Sequence, residues 1–181
     1  KGRCNGSMYW QLNDCWGVCS WSSIDYYGNY KALQYGARHF NAPVSVSIEN
    51  TEEYIKLFVL NDLKEKQDVT VTYDIFDFVS GTKQSDKKDV SIDAVKNELV
   101  FELDVKSLAK AYDLKRTGVA VKLLKNGELL QQKTVLFDKE KKLDLPKAKL
   151  KTRIEIKEDR LDITVKSDAY ARLVKLESAD S

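Results

Sequence analysis

Residues 1–42 concentrate the side chains with chemical potential: all three Trp (Trp10, Trp16, Trp21), all three Cys (Cys4, Cys15, Cys19), the one His (His39) and the one Met (Met8). The segment contains no Glu, and its carboxylates are Asp14 and Asp25. A lone His with no placed Ser or Cys nucleophile makes no catalytic triad. Three Cys separated by ten and then three residues, with no His beside them in sequence, make a poor zinc site. An odd number of Cys does not build a full disulfide framework, and Gly2 and Gly6 lack the spacing of a phosphate loop. Neither a cofactor nor a metal is expected. By residue type alone, a Trp in a strand is ordinarily a core residue. Asn13-Asp14 suits a strand end and turn, and Trp16 and Trp21 read as loop-packing residues.

The elements that must position these residues follow from patterning. Met8-Tyr9-Trp10-Gln11-Leu12 is a strand candidate. Asn29–Phe40 has helical spacing, with Tyr30, Leu33, Ala37 and Phe40 on one face. Strand, aromatic loop and helix make one β/α unit, which cannot bury its own apolar surface. The chain has 181 residues, 43% hydrophobic and 32% charged, the composition of a globular protein. A complete (β/α)8 barrel needs about 250 residues and cannot fit. No apolar run reaches the roughly 20 residues that span a bilayer, and no charged-then-apolar leader opens the sequence. The net charge of +2, with signs mixed along the chain, points neither to nucleic acid nor to an anionic membrane.

After Ala42 the texture changes to Val, Leu, Lys, Asp, Glu and Thr, and the two prolines, Pro43 and Pro146, lie close to the two changes. Residues 43–50, 54–60, 69–78, 89–93, 98–104, 117–124 and 129–137 read as strands, many with period-2 alternation. Seven short strands in this span match an immunoglobulin-like sandwich. Its expected core includes Val46, Ile55, Leu57, Val59, Val71, Tyr73, Phe101 and Val121. The switch from Ile75 to Phe76 and Phe78 suggests a bulge, Asn126-Gly127 a hairpin turn, and Ser107–Asp113 a turn or two of helix. Residues 138–149 read as a linker. Strands at 153–157, 161–166 and 169–176 are too few for a sandwich of their own. The expected organisation is therefore mainly β: a β/α unit over 1–42, a sandwich over 43–137, and over 138–181 a linker with the start of a second β domain. The alternative is that the last strands complete the middle sheet.

Three stretches resemble β-mannosidases of glycoside hydrolase family 2: Ser7-Met-Tyr-Trp-Gln-Leu-Asn-Asp-Cys-Trp16, Trp21-Ser-Ser-Ile-Asp-Tyr26, and Lys31-Ala-Leu33 with Phe40-Asn-Ala-Pro43. The resemblance implies that residues 1–42 are strand 8, its loop and helix 8 of the catalytic barrel, with Ala42-Pro43 the exit into immunoglobulin-like domains. Asp144-Leu-Pro-Lys147 is similar to the lead-in to that family's last β domain. Gly17 stands where the family usually has Pro, which loosens the loop.

The resemblance also implies a function. Retaining β-mannoside hydrolysis uses two carboxyl groups about 5–5.5 Å apart. In the family both are Glu, and residues 1–42 have none. The expectation is a C-terminal part of a retaining exo-β-mannosidase acting on terminal β-D-mannose of manno-oligosaccharides or glycans. Both catalytic Glu lie upstream, so this chain alone is inactive. Its partners are then a β-mannoside oligosaccharide and the N-terminal part of the same enzyme, with no nucleic acid and no membrane. The implied substrate-binding residues are Trp10, whose indole face suits the C–H face of a pyranose, and Asn13 and Asp14, which hydrogen-bond or hold the adjacent loop. A cis Trp10–Gln11 peptide is expected only beside the rest of a barrel; without it, Met8, Tyr9, Trp10 and Leu12 are left exposed. Periplasmic, lysosomal and secreted parents all fit. The alternative is a non-catalytic β-sandwich module that binds carbohydrate or another partner.

Overall fold

The structure, a computed structural model, describes residues 8–176. Gly2, Cys4 and Gly6 lie outside the described residues, as do Ser7 of the first motif and the end of the 138–181 segment. The backbone divides into two compact units, with the break between Ala42 and Pro43 and the second unit running to Lys175.

In the first unit, residues 8–12 form no strand. Pairing is confined to isolated bridges, Asn13 parallel to Ile24 and Ile24 antiparallel to Tyr30. A ladder needs a neighbour along its whole length, and among the described residues the backbone partners here are Ser23 and Ile24, at the C-terminal end of the segment. Helix α1 spans Ala32–Phe40 and opens later than its spacing predicts. Asn29 and Tyr30 are occupied elsewhere: the Asp25 carboxylate accepts the N–H of Tyr27 at 2.9 Å and of Asn29 at 2.8 Å, and Tyr30 bridges Ile24. Ala37 is buried and Leu33 half-buried, while Tyr30 and Phe40, expected on the same inner face, are exposed.

The second unit begins with β1 (Val44–Asn50), β2 (Tyr54–Asn61), β3 (Gln67–Asp77), β4 (Gly81–Ile92), β5 (Lys96–Asp104), helix α2 (Val105–Ala111), β6 (Thr117–Lys125) and β7 (Glu128–Leu136). They form two antiparallel sheets, β1-β2-β5 and β4-β3-β6-β7. Alternation sends Ile55, Leu57 and Val59 of β2, Val71, Tyr73 and Ile75 of β3, and Val119, Val121 and Leu123 of β6 into one shared core. Burying each such side chain contributes roughly 1.5–3 kcal/mol. Of the eight core residues expected, seven are buried. Phe101 is half-buried and meets the Tyr73 ring edge-on at 5.0 Å. The expected bulge is a register shift between Ile75 and Phe76, and Asn126-Gly127 turns with both φ positive, 51° and 82°, as a two-residue hairpin requires. Strand β4 is longer than its sequence predicts. Its first nine residues, 81–89, are exposed and polar, so they carry no alternation to read. It is an edge strand paired with β3 alone.

Polar side chains close the sandwich where backbone pairing stops. Asn61, fully buried, donates through Nδ2 to the carbonyls of Glu65 at 2.8 Å, Asp93 at 3.0 Å and Ile92 at 3.3 Å, and accepts the Leu63 N–H at 3.1 Å. Between the edge strands β1 and β7, the Val46 N–H donates to Gln131 Oε1 at 2.8 Å, and Lys133 Nζ donates to the Val46 carbonyl at 2.6 Å. Burial of the Lys133 ammonium lowers its pKa.

Beyond β7, a 3-10 turn at Glu140–Lys142 leads to the buried Leu143, and the Asp144 N–H donates to the Lys115 carbonyl at 2.9 Å. Strands β8 (Leu150–Ile156) and β9 (Leu161–Ser167) pair with each other in a separate two-stranded sheet. The third strand expected at 169–176 does not form. Tyr170 is drawn onto Phe78 instead: its N–H donates to the Phe78 carbonyl at 2.8 Å, and the two rings stack at 5.2 Å.

Candidate functional site

Trp10 precedes a backbone segment that is fixed by a second one. The Ser23 N–H is shared between the carbonyls of Gln11 at 3.0 Å and Leu12 at 3.1 Å. The Ile24 N–H donates to the Leu12 carbonyl at 2.9 Å, and the Asp14 N–H to the Ile24 carbonyl at 3.1 Å. The Ser23 hydroxyl adds a bond to the Leu12 carbonyl at 2.8 Å. On the far side, the Lys31 N–H donates to the Ser23 carbonyl at 2.9 Å. Residues 22–24 are thus a middle rung between 11–14 and 30–31. The Trp10–Gln11 peptide is cis. The expectation that this bond is cis only beside the rest of a barrel is therefore corrected, since no barrel strand lies among the described residues.

The three expected site residues are adjacent in sequence but differently placed. Trp10 is 73% exposed. Asn13 is also exposed, and its Nδ2 donates to the Asp14 carbonyl at 3.2 Å. Asp14 is only 4% exposed. Its Oδ2 accepts from Lys31 Nζ at 2.7 Å and its Oδ1 from the Ser20 hydroxyl. Lys31 Nζ also donates to Ser22 Oγ at 2.7 Å, and Ser22 Oγ donates to the Ile24 carbonyl at 2.9 Å. The Lys31 ammonium first, and the Ser20 hydroxyl second, hold the Asp14 carboxyl below the usual carboxylate range. The Asn29 backbone N–H does the same for Asp25. Asp14 and Asp25, the two carboxylates of residues 8–42, are therefore held in the ionised form and engaged in the chain's own structure, so neither is poised as a general acid. Of the three expected residues, Trp10 and Asn13 are the two that remain exposed.

Met8, Tyr9, Trp10 and Leu12 are all exposed, as expected. Trp16 and Trp21, expected to pack the loop, are exposed instead. The loop is held by Asp14, Ser20, Ser22 and Ser23 rather than by aromatic packing. Tyr9 packs edge-on against Phe40 of α1 at 6.1 Å. His39 is a surface residue near the helix end. Among the described residues no group of three or more His, Cys, Asp or Glu converges as a metal site.

Residue-type reasoning passed over Lys31 and the serines. One signal was present in the sequence. A cation at a helix start opposes the helix dipole, and α1 has no acidic residue in its first turn. A lysine there calls for a partner from elsewhere in the chain.

Residues 53–142 match the family of Mannosidase Ig/CBM-like domains. The bovine β-mannosidase is 57% identical over 44 residues, 24% of this chain and 5% of the relative. β-Mannosidase A of Aspergillus terreus is 42% identical over 77 residues, 42% of this chain and 7% of the relative. Among solved structures, the β-D-mannosidase of Dictyoglomus thermophilum superposes with a TM-score of 0.76 at 29% identity, over 88% of this chain and 20% of that one. The Amycolatopsis orientalis exo-chitosanase, at 15% identity and a TM-score of 0.61 over 92% of this chain and 23% of its own, shares the fold. The chain thus spans less than a tenth of these curated relatives and about a fifth of the solved enzymes it matches. A mainly β chain that opens with the Tyr9-Trp10-Gln11-Leu12-Asn13-Asp14 segment and continues into a mannosidase immunoglobulin-like domain belongs with the C-terminal part of the glycoside hydrolase family 2 β-mannosidases.

Proposed function

We propose that this chain supplies one wall of the sugar subsite of a retaining exo-β-mannosidase, which releases terminal β-D-mannose from manno-oligosaccharides or glycans. In this reading residues 1–42 end the catalytic barrel, 43–137 are the immunoglobulin-like domain, and 138–181 lead into a further β domain. The observation that carries it is Trp10, a residue 73% exposed, next to backbone that Ser23 and Ile24 fix at Gln11 and Leu12. An aromatic face that stays uncovered while the chain beneath it is held costs little to order when a pyranose arrives. Asn13 presents its amide beside it to a sugar hydroxyl, and Asp14 acts from beneath by holding the adjacent loop. The two carboxyl groups of the double displacement, about 5–5.5 Å apart, come from the remainder of the enzyme, the partner this chain requires.

The test is complementation. The purified 181-residue chain is expected to turn over no chromogenic β-mannoside. Combined with the upstream part of a family 2 β-mannosidase, it is expected to restore turnover with retention at the anomeric carbon. Trp10→Ala in the restored enzyme should cut kcat/KM by about tenfold, the value of one good aromatic contact. Turnover by the chain alone, or an unaltered kcat/KM for Trp10→Ala, would refute the reading.

A further inference from the structure

We propose that Lys31 is a positioning residue for Trp10, acting through Asp14 and the middle rung; this deepens the sugar-subsite reading and rests on it. Lys31 stands at the start of α1, and its side chain runs back across seventeen residues to Asp14. Its ammonium holds the Asp14 carboxylate and the Ser22 hydroxyl, each at 2.7 Å. Its backbone N–H holds the Ser23 carbonyl at 2.9 Å. One residue therefore grips both segments: residues 13–14 through the carboxylate, and residues 22–23 through hydroxyl and carbonyl. Those two segments share the bonds from Ser23 and Ile24 to the carbonyls of Gln11 and Leu12, the residues that follow Trp10.

The side-chain exposures fit this role. The Asp14 side chain is 1% exposed and that of Lys31 28%, and Ser22 and Ser23 are buried. A buried carboxylate that loses its cation is strongly destabilised where it stands. Loss of the ammonium is therefore transmitted to residues 11–14 rather than absorbed by solvent. The aim of the Trp10 indole follows from the chain it sits on.

The experiment uses the full 181-residue chain with Trp16→Phe and Trp21→Phe, both at exposed positions, so that Trp10 is the one fluorophore of its kind. The readouts are Trp10 fluorescence anisotropy and near-UV circular dichroism, taken far below the thermal transition, with far-UV dichroism as the check on folding. Lys31→Met is expected to lower the anisotropy and erase the Trp near-UV band while far-UV dichroism is retained. Ser22→Ala, which removes the hydroxyl and keeps the ion pair, is expected to shift the same signals in the same direction by less. Asp14→Asn combined with Lys31→Met should add nothing to Lys31→Met alone, because the two act as one unit. A residue that merely stabilises the fold would lower the melting temperature and leave the native Trp10 signal unaltered. That result in Lys31→Met overturns the proposal, and where Lys31→Met does not fold, an unaltered signal in Ser22→Ala overturns it. These readouts involve no sugar. Failure of the sugar reading shows separately, as full activity of Trp10→Ala in the complemented enzyme.

Discussion

In β2 the fully buried side chains are Ile55, Leu57, Val59 and Asn61, three of them apolar; in residues 8–42 the buried residues are Asp14, Ser22, Ser23 and Ala37, three of them polar. The two regions hold their backbones by different physics. The sandwich relies on apolar area removed from water, which has no direction and tolerates small shifts. The Trp10 segment relies on bonds that work only within a few tenths of an ångström and one range of angles. The first kind of interior makes a stable support. The second fixes one side chain in one place, as a binding surface needs, and ties that fixity to the charge state of a carboxylate.

The largest expected effect tests the sandwich half of this contrast. Leu57→Ala should lower its stability by about 2–5 kcal/mol through lost burial and the cavity left behind. The change should appear as a fall in the urea midpoint of the far-UV signal, and a loss under about 1 kcal/mol would break the contrast. Acid should act on the other half. A carboxyl whose folded pKa is depressed contributes stability that is complete above its unfolded value, about 3.9 for Asp, and is lost as the pH falls through the lowered value. Asp14 is such a group, held down by Lys31 first. All three Trp lie in residues 1–42, so their fluorescence reports that unit. It should change as the pH drops below about 4, while the far-UV dichroism of the sandwich persists. The sandwich's own most depressed carboxyl, Asp77, is lowered to about 2 by the N–H groups of Ser80 and then Val79, and holds the β3–β4 turn until then. Coincident transitions of the two signals would remove the distinction. The smallest effects should have opposite signs. Gly127→Ala, at φ 82° in the β6–β7 turn, should cost about 1 kcal/mol. Gly36→Ala, in open space within α1, should stabilise by about 0.5–1 kcal/mol; thermal denaturation of both measures the pair.

The same contrast explains what could be read from the sequence. Alternation in 54–60 and 69–75 identified β2, β3 and their inward faces, because a buried face writes itself into every second residue. Residues 81–88 carried no such mark. Both faces of that part of β4 meet water, and only the pairing with β3 makes it a strand. Residues 169–176 alternated as a strand would, but the Tyr170 ring found Phe78. In the first unit the order of motifs placed Trp10, Asn13 and Asp14 together. Which of them faces outward was not legible, because Lys31, seventeen residues away, is what takes Asp14 inside. Polar networks leave no periodicity; they are visible only once the chain has folded.

The Gln131 and Lys133 contacts to Val46 have a consequence for the protein in a crowded solution. Strand β1 is the open border of its sheet, and a bare border invites a strand from a neighbouring molecule. Here the N–H and carbonyl at its centre are already taken by an amide and an ammonium from β7. Any foreign strand must first displace both and then lie against a lysine. The two side chains that join the sheets of one molecule therefore also keep separate molecules from growing into each other.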